Sequence, residues 1–203
     1  SPPRFTAASV LSYAIHPMWA LNYLFREKFA LPNLETHVDA GTNVAVSVAE
    51  YFNTMLDTSM DWAMAEKVRA DWGGEFCLKG IMSVEDAKRA VDIGATAIMV
   101  SNHGGRQLDG SRSPFDQISE IADAVGDIIC DGGVRRGSHV LKALAAGATA
   151  CSGGRLYLYA LAAAGEAGVQ RVVGKLRDEI ERDMKLMGVR SVPELDASKL
   201  RWR

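Results

Sequence analysis

The sequence predicts an α/β fold: parallel strands covered by helices, in the pattern of half a (β/α)8 barrel. Three observations carry this. From Phe76 onward, short apolar runs alternate with helical patterns, which gives parallel strands joined by crossover helices. The apolar runs end in glycine and polar residues, as the chemistry-bearing face of a barrel requires. The run–helix unit occurs four times, half the strand number of a closed barrel. An open doubly wound sheet fits the same periodicity.

The first 75 residues are less regular. Ser9 to Phe25 carries an aromatic and aliphatic helical face, interrupted at His16-Pro17. Leu31 to Asn53 reads as loop. Ser59 is placed to cap a helix from Met60 to about Ala70, with Trp62, Ala65 and Val68 or Arg69 setting its faces. Phe76-Cys77-Leu78 then reads as a strand ending at Lys79-Gly80. Ser83-Val84-Glu85-Asp86 has capping-box spacing, Ala87, Ala90 and Val91 form a helical stripe, and Gly94 closes the helix. Ala97-Ile98-Met99-Val100 is the second strand, followed by a polar, glycine-rich loop through Gly110. A helix from about Gln117 to Val125 presents Ile118, Ile121, Ala122 and Val125 on one face.

Asp127-Ile128-Ile129-Cys130 is the third strand, ending at Asp131-Gly132-Gly133. The helix after it carries Val140, Leu141 and Leu144 and ends at Gly147. Thr149-Ala150-Cys151 is a short fourth strand, ending at Gly153-Gly154-Arg155. A long last helix spaces Val169, Val172, Val173, Leu176, Ile180, Met184 and Met187 along one stripe and stops at Gly188. The expected organisation is one domain, or part of one, over 1–203: helices and loop over 1–75, then four strand–helix units over 76–188.

Composition narrows the class. Hydrophobic residues at 48% and charged residues at 24% allow a real core and argue against wholesale disorder. A net charge of −2 gives no basic excess to attract nucleic acid. The apolar stretches are broken by charge well short of a membrane span, and the start shows no secretory signal. Cys77, Cys130 and Cys151 are odd in number and lack CxxC spacing. That speaks against a disulfide framework or zinc site and fits a reducing compartment; buried packing is expected for all three. Ser1-Pro2-Pro3-Arg4 reads as the exit from a loop, so the chain is expected to be a piece of a longer protein.

The most informative stretch is Ser101-Asn102-His103-Gly104-Gly105-Arg106-Gln107-Leu108-Asp109. A histidine at a strand end can serve as a general base near neutral pH. The two glycines let backbone approach a flat ligand. Arg106 offers a planar fork that matches a carboxylate. A base and a carboxylate clamp three residues apart fit chemistry at the carbon next to a carboxylate. Asp131 to Gly137 and Gly153-Gly154-Arg155 are glycine-rich strand ends suited to holding a phosphate, with Arg135 and Arg155 adding charge. Lys79 places a cation at the mouth of the fold, where it needs an anion or a developing negative charge.

Together these segments resemble the FMN-dependent L-2-hydroxy-acid dehydrogenase and oxidase family over about Asp57 to Gly188. Its members include lactate dehydrogenases that pass electrons to cytochrome or quinone, mandelate dehydrogenase, glycolate oxidase and lactate oxidase. The resemblance implies the C-terminal half of a (β/α)8 TIM barrel with FMN as cofactor. It implies oxidation of an L-2-hydroxy acid, lactate preferred, to the 2-oxo acid. His103 would be the base and Arg106 the holder of the substrate carboxylate. Lys79 would meet the flavin pyrimidine edge. Asp131, Gly133 and Arg135 would lie along the ribityl phosphate side, with Gly154 and Arg155 at the phosphate.

The family's aspartate partner of the histidine, its substrate-facing tyrosines and several flavin contacts have no matching position and would lie before Ser1. The expected partners are therefore the N-terminal half of the same barrel, the same chain in a homo-tetramer, and cytochrome, quinone or oxygen as electron acceptor. No nucleic acid is expected. The expected place is the cytoplasm or the inner face of a membrane. Residues 1–203 alone are expected to be inactive. The alternatives are another FMN- or phosphate-binding barrel enzyme, such as an isomerase, and a non-catalytic phosphate-binding assembly module.

Overall fold

A computed structural model describes residues 6–25 and 56–201. The chain divides into two compact units, Ser1–Met60 and Asp61–Arg203.

In the first unit, α1 (Ala7–Ile15) and α2 (Pro17–Phe25) meet at His16, the expected break. Thr6 and Ser9 form a reciprocal capping box that starts α1. Pro17 opens α2 at a position where the missing N–H costs nothing. Tyr13 stacks on Trp19 with ring centroids 5.1 Å apart, tying the two helices together. The loop expected over Leu31 to Asn53 lies outside the described residues. Ser59 is not a helix cap: its N–H and hydroxyl both donate to Asp57, at 2.8 and 2.6 Å.

The second unit opens with α3 (Trp62–Trp72), capped by Asp61, whose carboxylate accepts the Met64 N–H at 2.9 Å. The helix therefore starts two residues later than Ser59 spacing predicts. Arg69, not Val68, shares the inner face with Trp62 and Ala65, and its Nε donates to Gly94 O at 3.0 Å. The Arg89 guanidinium lies 5.4 Å from the Trp62 ring centroid.

The sheet is parallel with order β1-β2-β3-β4: β1 (Cys77–Ile81), β2 (Ala97–Ser101), β3 (Ile128–Asp131) and β4 (Ala150–Ser152). The crossovers are α4 (Val84–Asp92), α5 (Pro114–Val125) and α6 (Gly137–Ala145). Ser83 caps α4 by accepting the Asp86 N–H at 3.1 Å. α5 begins three residues earlier than its apolar stripe shows, because Pro114 supplies a preset first turn. α7 (Arg155–Met187) begins right after β4 and breaks at Ala164–Gly165, then runs on to left-handed Gly188.

The core lies between sheet and helices. Ile98, Val100, Ile128 and Cys130 from the strands meet Ile118 and Ile121 from α5, all 2% exposed or less. Each such aliphatic side chain contributes roughly 1.5–3 kcal/mol by leaving water. Ala87 and Ala90 are fully buried, so α4 lies close on the sheet, whereas Val91 is 47% exposed and does not belong to that stripe. The cysteines divide: Cys130 is buried, Cys151 half-buried and Cys77 exposed, all three free. Burial pushes the Cys130 thiol up to about 12 and the Cys151 thiol up to about 11, so both pack as inert apolar groups. A second small cluster, Leu141, Ala145, Val189 and Leu195, seats α6 against the end of α7 and the segment beyond it.

Candidate active site

Parallel pairing brings the carboxyl ends of all four strands to one edge of the sheet. Ser101 stands beside Asp131, and Asp131 beside Ser152, in register. Lys79 Nζ reaches across from β1, donating to Ser101 Oγ at 2.6 Å and forming an ion pair with the Asp131 carboxylate. Ser101 Oγ in turn donates to Asp131 Oδ2 at 2.6 Å and accepts the His103 N–H at 3.1 Å. A hydroxyl has one donor and two acceptor sites, and here all three are filled. That explains how a serine can be 2% exposed at this position. Burial pushes the Asp131 carboxyl up, but hydrogen bonds from Lys79, Ser101 and Ser152, with the Lys79 charge, outweigh it; the net position is below the ordinary value.

The segment after β2 is a tight turn of one 3-10 helix, His103–Gly105. Its three residues all have positive φ, at 55°, 68° and 70°. His103 is the one non-glycine residue with positive φ among the described residues, a conformation that costs on the order of 1 kcal/mol or more. Several bonds hold it there. Asn102 Oδ1 accepts the Gly105 N–H at 3.2 Å, and Asn102 Nδ2 donates to Arg112 O at 3.1 Å. Arg155 Nη2, from the start of α7, donates to Gly104 O at 2.8 Å. The turn leaves His103 exposed at the strand end. Arg106 Nη1 lies 3.5 Å from His103 Nε2, at the outer limit of a hydrogen bond. The expected base and the expected carboxylate clamp are thus side by side.

The third and fourth strand ends are open backbone. A Cβ built at Gly133 or Gly154 would meet nothing within 4 Å, so a ligand can approach either chain closely. No side chain caps the first turn of α7 at Gly154, whose N–H groups and dipole suit an anion. His139 Nδ1, in the first turn of α6, lies 3.0 Å from Gly133 O and 3.2 Å from Arg135 N, and so braces the loop after β3. The Arg135 side chain is exposed. Lys79, Arg135 and Arg155 supply cations, and Gly133, Gly154 and the uncapped start of α7 supply open backbone; by its chemistry this donor set fits the phosphate and the negative ring edge of FMN.

The expected residues therefore fall into three groups: Lys79 with Asp131, His103 with Arg106, and Gly133, Arg135, Gly154 and Arg155 at the β3 and β4 ends. Arg155 joins the last group to the second. Sequence reasoning left Ser101, Asn102 and His139 without roles. A polar residue closing an apolar strand was the available signal for Ser101. A cavity of about 380 Å³ lies elsewhere, between α6, α7 and Leu200, and shares no residue with these groups. Among the described residues no cluster of His, Cys, Asp or Glu could hold a metal ion.

A family profile described as FMN-dependent dehydrogenase matches residues 1–202. L-lactate dehydrogenase of Azorhizobium caulinodans is 40% identical over 195 residues, covering 94% of this chain and 51% of that protein. The crystal structure of the monotopic membrane protein (S)-mandelate dehydrogenase superposes with a TM-score of 0.87 at 35% identity, over 98% of this chain and 53% of that one. A flavocytochrome b2 variant with pyruvate bound has a TM-score of 0.67 at 40% identity, over 71% of this chain and 39% of that one. The chain spans about half the length of the curated relatives it matches.

Proposed function

Because the chain belongs to the FMN-dependent dehydrogenase family, we propose that the protein containing it oxidises an L-2-hydroxy acid to the 2-oxo acid, with lactate preferred. The observation that carries this reading is the contact between His103 and Arg106 at the carboxyl end of β2. Arg106 holds the substrate carboxylate through its planar fork. That places the neighbouring carbon and its hydroxyl beside His103, which accepts one proton, from the hydroxyl or from the α-carbon. When bound, FMN supplies the two-electron acceptor.

Lys79 meets the pyrimidine edge of the flavin and favours its negative, reduced form, while Asp131 and Ser101 keep that ammonium in place. Asp131, Gly133 and Arg135 line the ribityl phosphate side, and Gly154 and Arg155 take the phosphate. In this reading residues 1–203 are part of one FMN-binding (β/α)8 domain. The N-terminal half of the same barrel supplies the remaining catalytic groups. The enzyme works as a homo-tetramer in the cytoplasm or on the inner face of a membrane, passing electrons to cytochrome, quinone or oxygen. Among the described residues no helix is long and apolar enough to cross a membrane, which fits attachment at a surface.

The test is anaerobic stopped-flow reduction of the intact protein by L-lactate, L-mandelate and glycolate. His103→Gln should keep FMN and slow flavin reduction roughly 10²–10⁴-fold, the usual worth of a general base. Reduction of the variant at the wild-type rate would remove His103 from the mechanism. No reduction of the wild-type protein by any of the three acids would remove the substrate class.

A further inference from the structure

Arg155 touches two places at once. It opens α7, where the uncapped backbone suits a phosphate, and its guanidinium reaches 51 residues back to donate Nη2 to Gly104 O at 2.8 Å. Gly104 is the middle residue of the left-handed turn that carries His103. The fit is close. A Cβ at Gly104 would stand 2.6 Å from Arg155 Nη2 and 3.3 Å from Cζ, so any side chain there would push the guanidinium from its present place. The turn needs such help. His103 sits at φ 55°, where a side chain is strained; the other bonds to the turn backbone come from Ser101, Asn102 and Arg106, all within three residues, with Asn102 itself tied to Arg112 O. The Gly104–Arg155 bond is the one long-range hydrogen bond to the His103–Gly105 backbone among the described residues. Arg155 makes no other side-chain hydrogen bond among those residues, so Nε and Nη1 are left for an anion.

We infer that Arg155 is a positioning residue for His103 as well as a phosphate ligand, so that filling the phosphate site tightens the turn that presents the base. This rests on the proposed function for its consequence in catalysis, but not for the bracing itself. A guanidinium held by an anion on one side has fewer conformations from which to reach Gly104, and its bond to the carbonyl becomes more persistent.

Hydrogen-exchange mass spectrometry over 101–108 of the intact protein reads the bracing without any turnover. In flavin-free wild type, inorganic phosphate should slow exchange of the turn amides. Arg155→Lys keeps the charge and loses the fork; it should speed that exchange about tenfold and abolish the effect of phosphate. At saturating FMN the same variant should reduce its flavin about tenfold more slowly, with KM for lactate little changed and the pH profile of reduction shifted. Exchange unaffected by phosphate in wild type would overturn the coupling whether or not the variant folds. Wild-type reduction by Arg155→Lys at saturating FMN would confine Arg155 to phosphate binding. A protein reduced by no hydroxy acid, yet protected over 101–108 by phosphate, would retain the brace and lose the proposed reaction.

Discussion

Asp131 stays charged although most of its side chain is buried, because three donors converge on it: Lys79, Ser101 and Ser152. Burial alone would raise its pKa; the donors bring the net value below the ordinary one. A carboxyl depressed in the folded state contributes stability that is complete above the ordinary carboxylate range and is lost as pH falls through its folded value. Urea unfolding between pH 7 and pH 3 should therefore show the intact protein losing stability on the acid side, with Asp131→Asn lacking that component of the loss. Parallel curves for the two proteins would mean the converging donors gain nothing from the charge. At this scale the sequence was partly legible. His103, Arg106 and Lys79 announce themselves by residue type and place. Ser101 did not, because its role lies in three bonds, of which two go to other strands and only the fold shows which strands are neighbours.

Between elements, α6 starts in close contact with α7. Gly137 has no room for a side chain: a Cβ there would lie 2.6 Å from both Glu179 Cβ and Ile180 N. That approach lets the buried Glu179 carboxylate accept the Gly137 N–H at 2.8 Å and the Arg136 Nε–H at 2.8 and 3.0 Å, capping α6 from outside. The bond from Arg136, then that from Gly137, holds Glu179 below the ordinary carboxylate value against the effect of burial. Gly137→Ala should lower stability by about 1–3 kcal/mol, the usual cost of overpacking, and Tm by several degrees. Differential scanning calorimetry measures it, and an unchanged Tm would show that the two helices part freely.

The elements themselves were largely written in glycine and apolar spacing: Gly94, Gly147 and Gly188 end helices as expected. Boundaries failed where a non-periodic residue decides, with Asp61 capping in place of Ser59 and Pro114 starting α5 ahead of its stripe. Glu179 was invisible, because a glutamate within a long polar helix shows no sign of being buried.

For the molecule as a whole, periodicity alone fitted an open sheet as well as a barrel; the glycine-rich strand ends and the relatives decide for the barrel. β1 and β4 are the outer strands of the sheet among the described residues, each with one side unpaired. Exposed parallel edges invite aggregation unless other strands cover them. Residues 1–203 produced alone should be poorly soluble, hold FMN weakly and turn over no lactate; co-produced with the remaining strands of the barrel they should yield a yellow, active complex. Absorbance at the flavin band and a lactate assay on both preparations check this, and turnover by the lone piece would sink the half-barrel reading.

The plain order β1-β2-β3-β4 also bears on birth at the ribosome. Each strand after β1 pairs with the one made just before it. As the chain emerges, each strand after β1 finds its neighbour already in place, and the helix that follows comes out in time to cover its face. His103 and Arg106 leave the ribosome some fifty residues before Arg155. The turn that carries the base is therefore laid down first and locked only when the last strand and its helix have arrived.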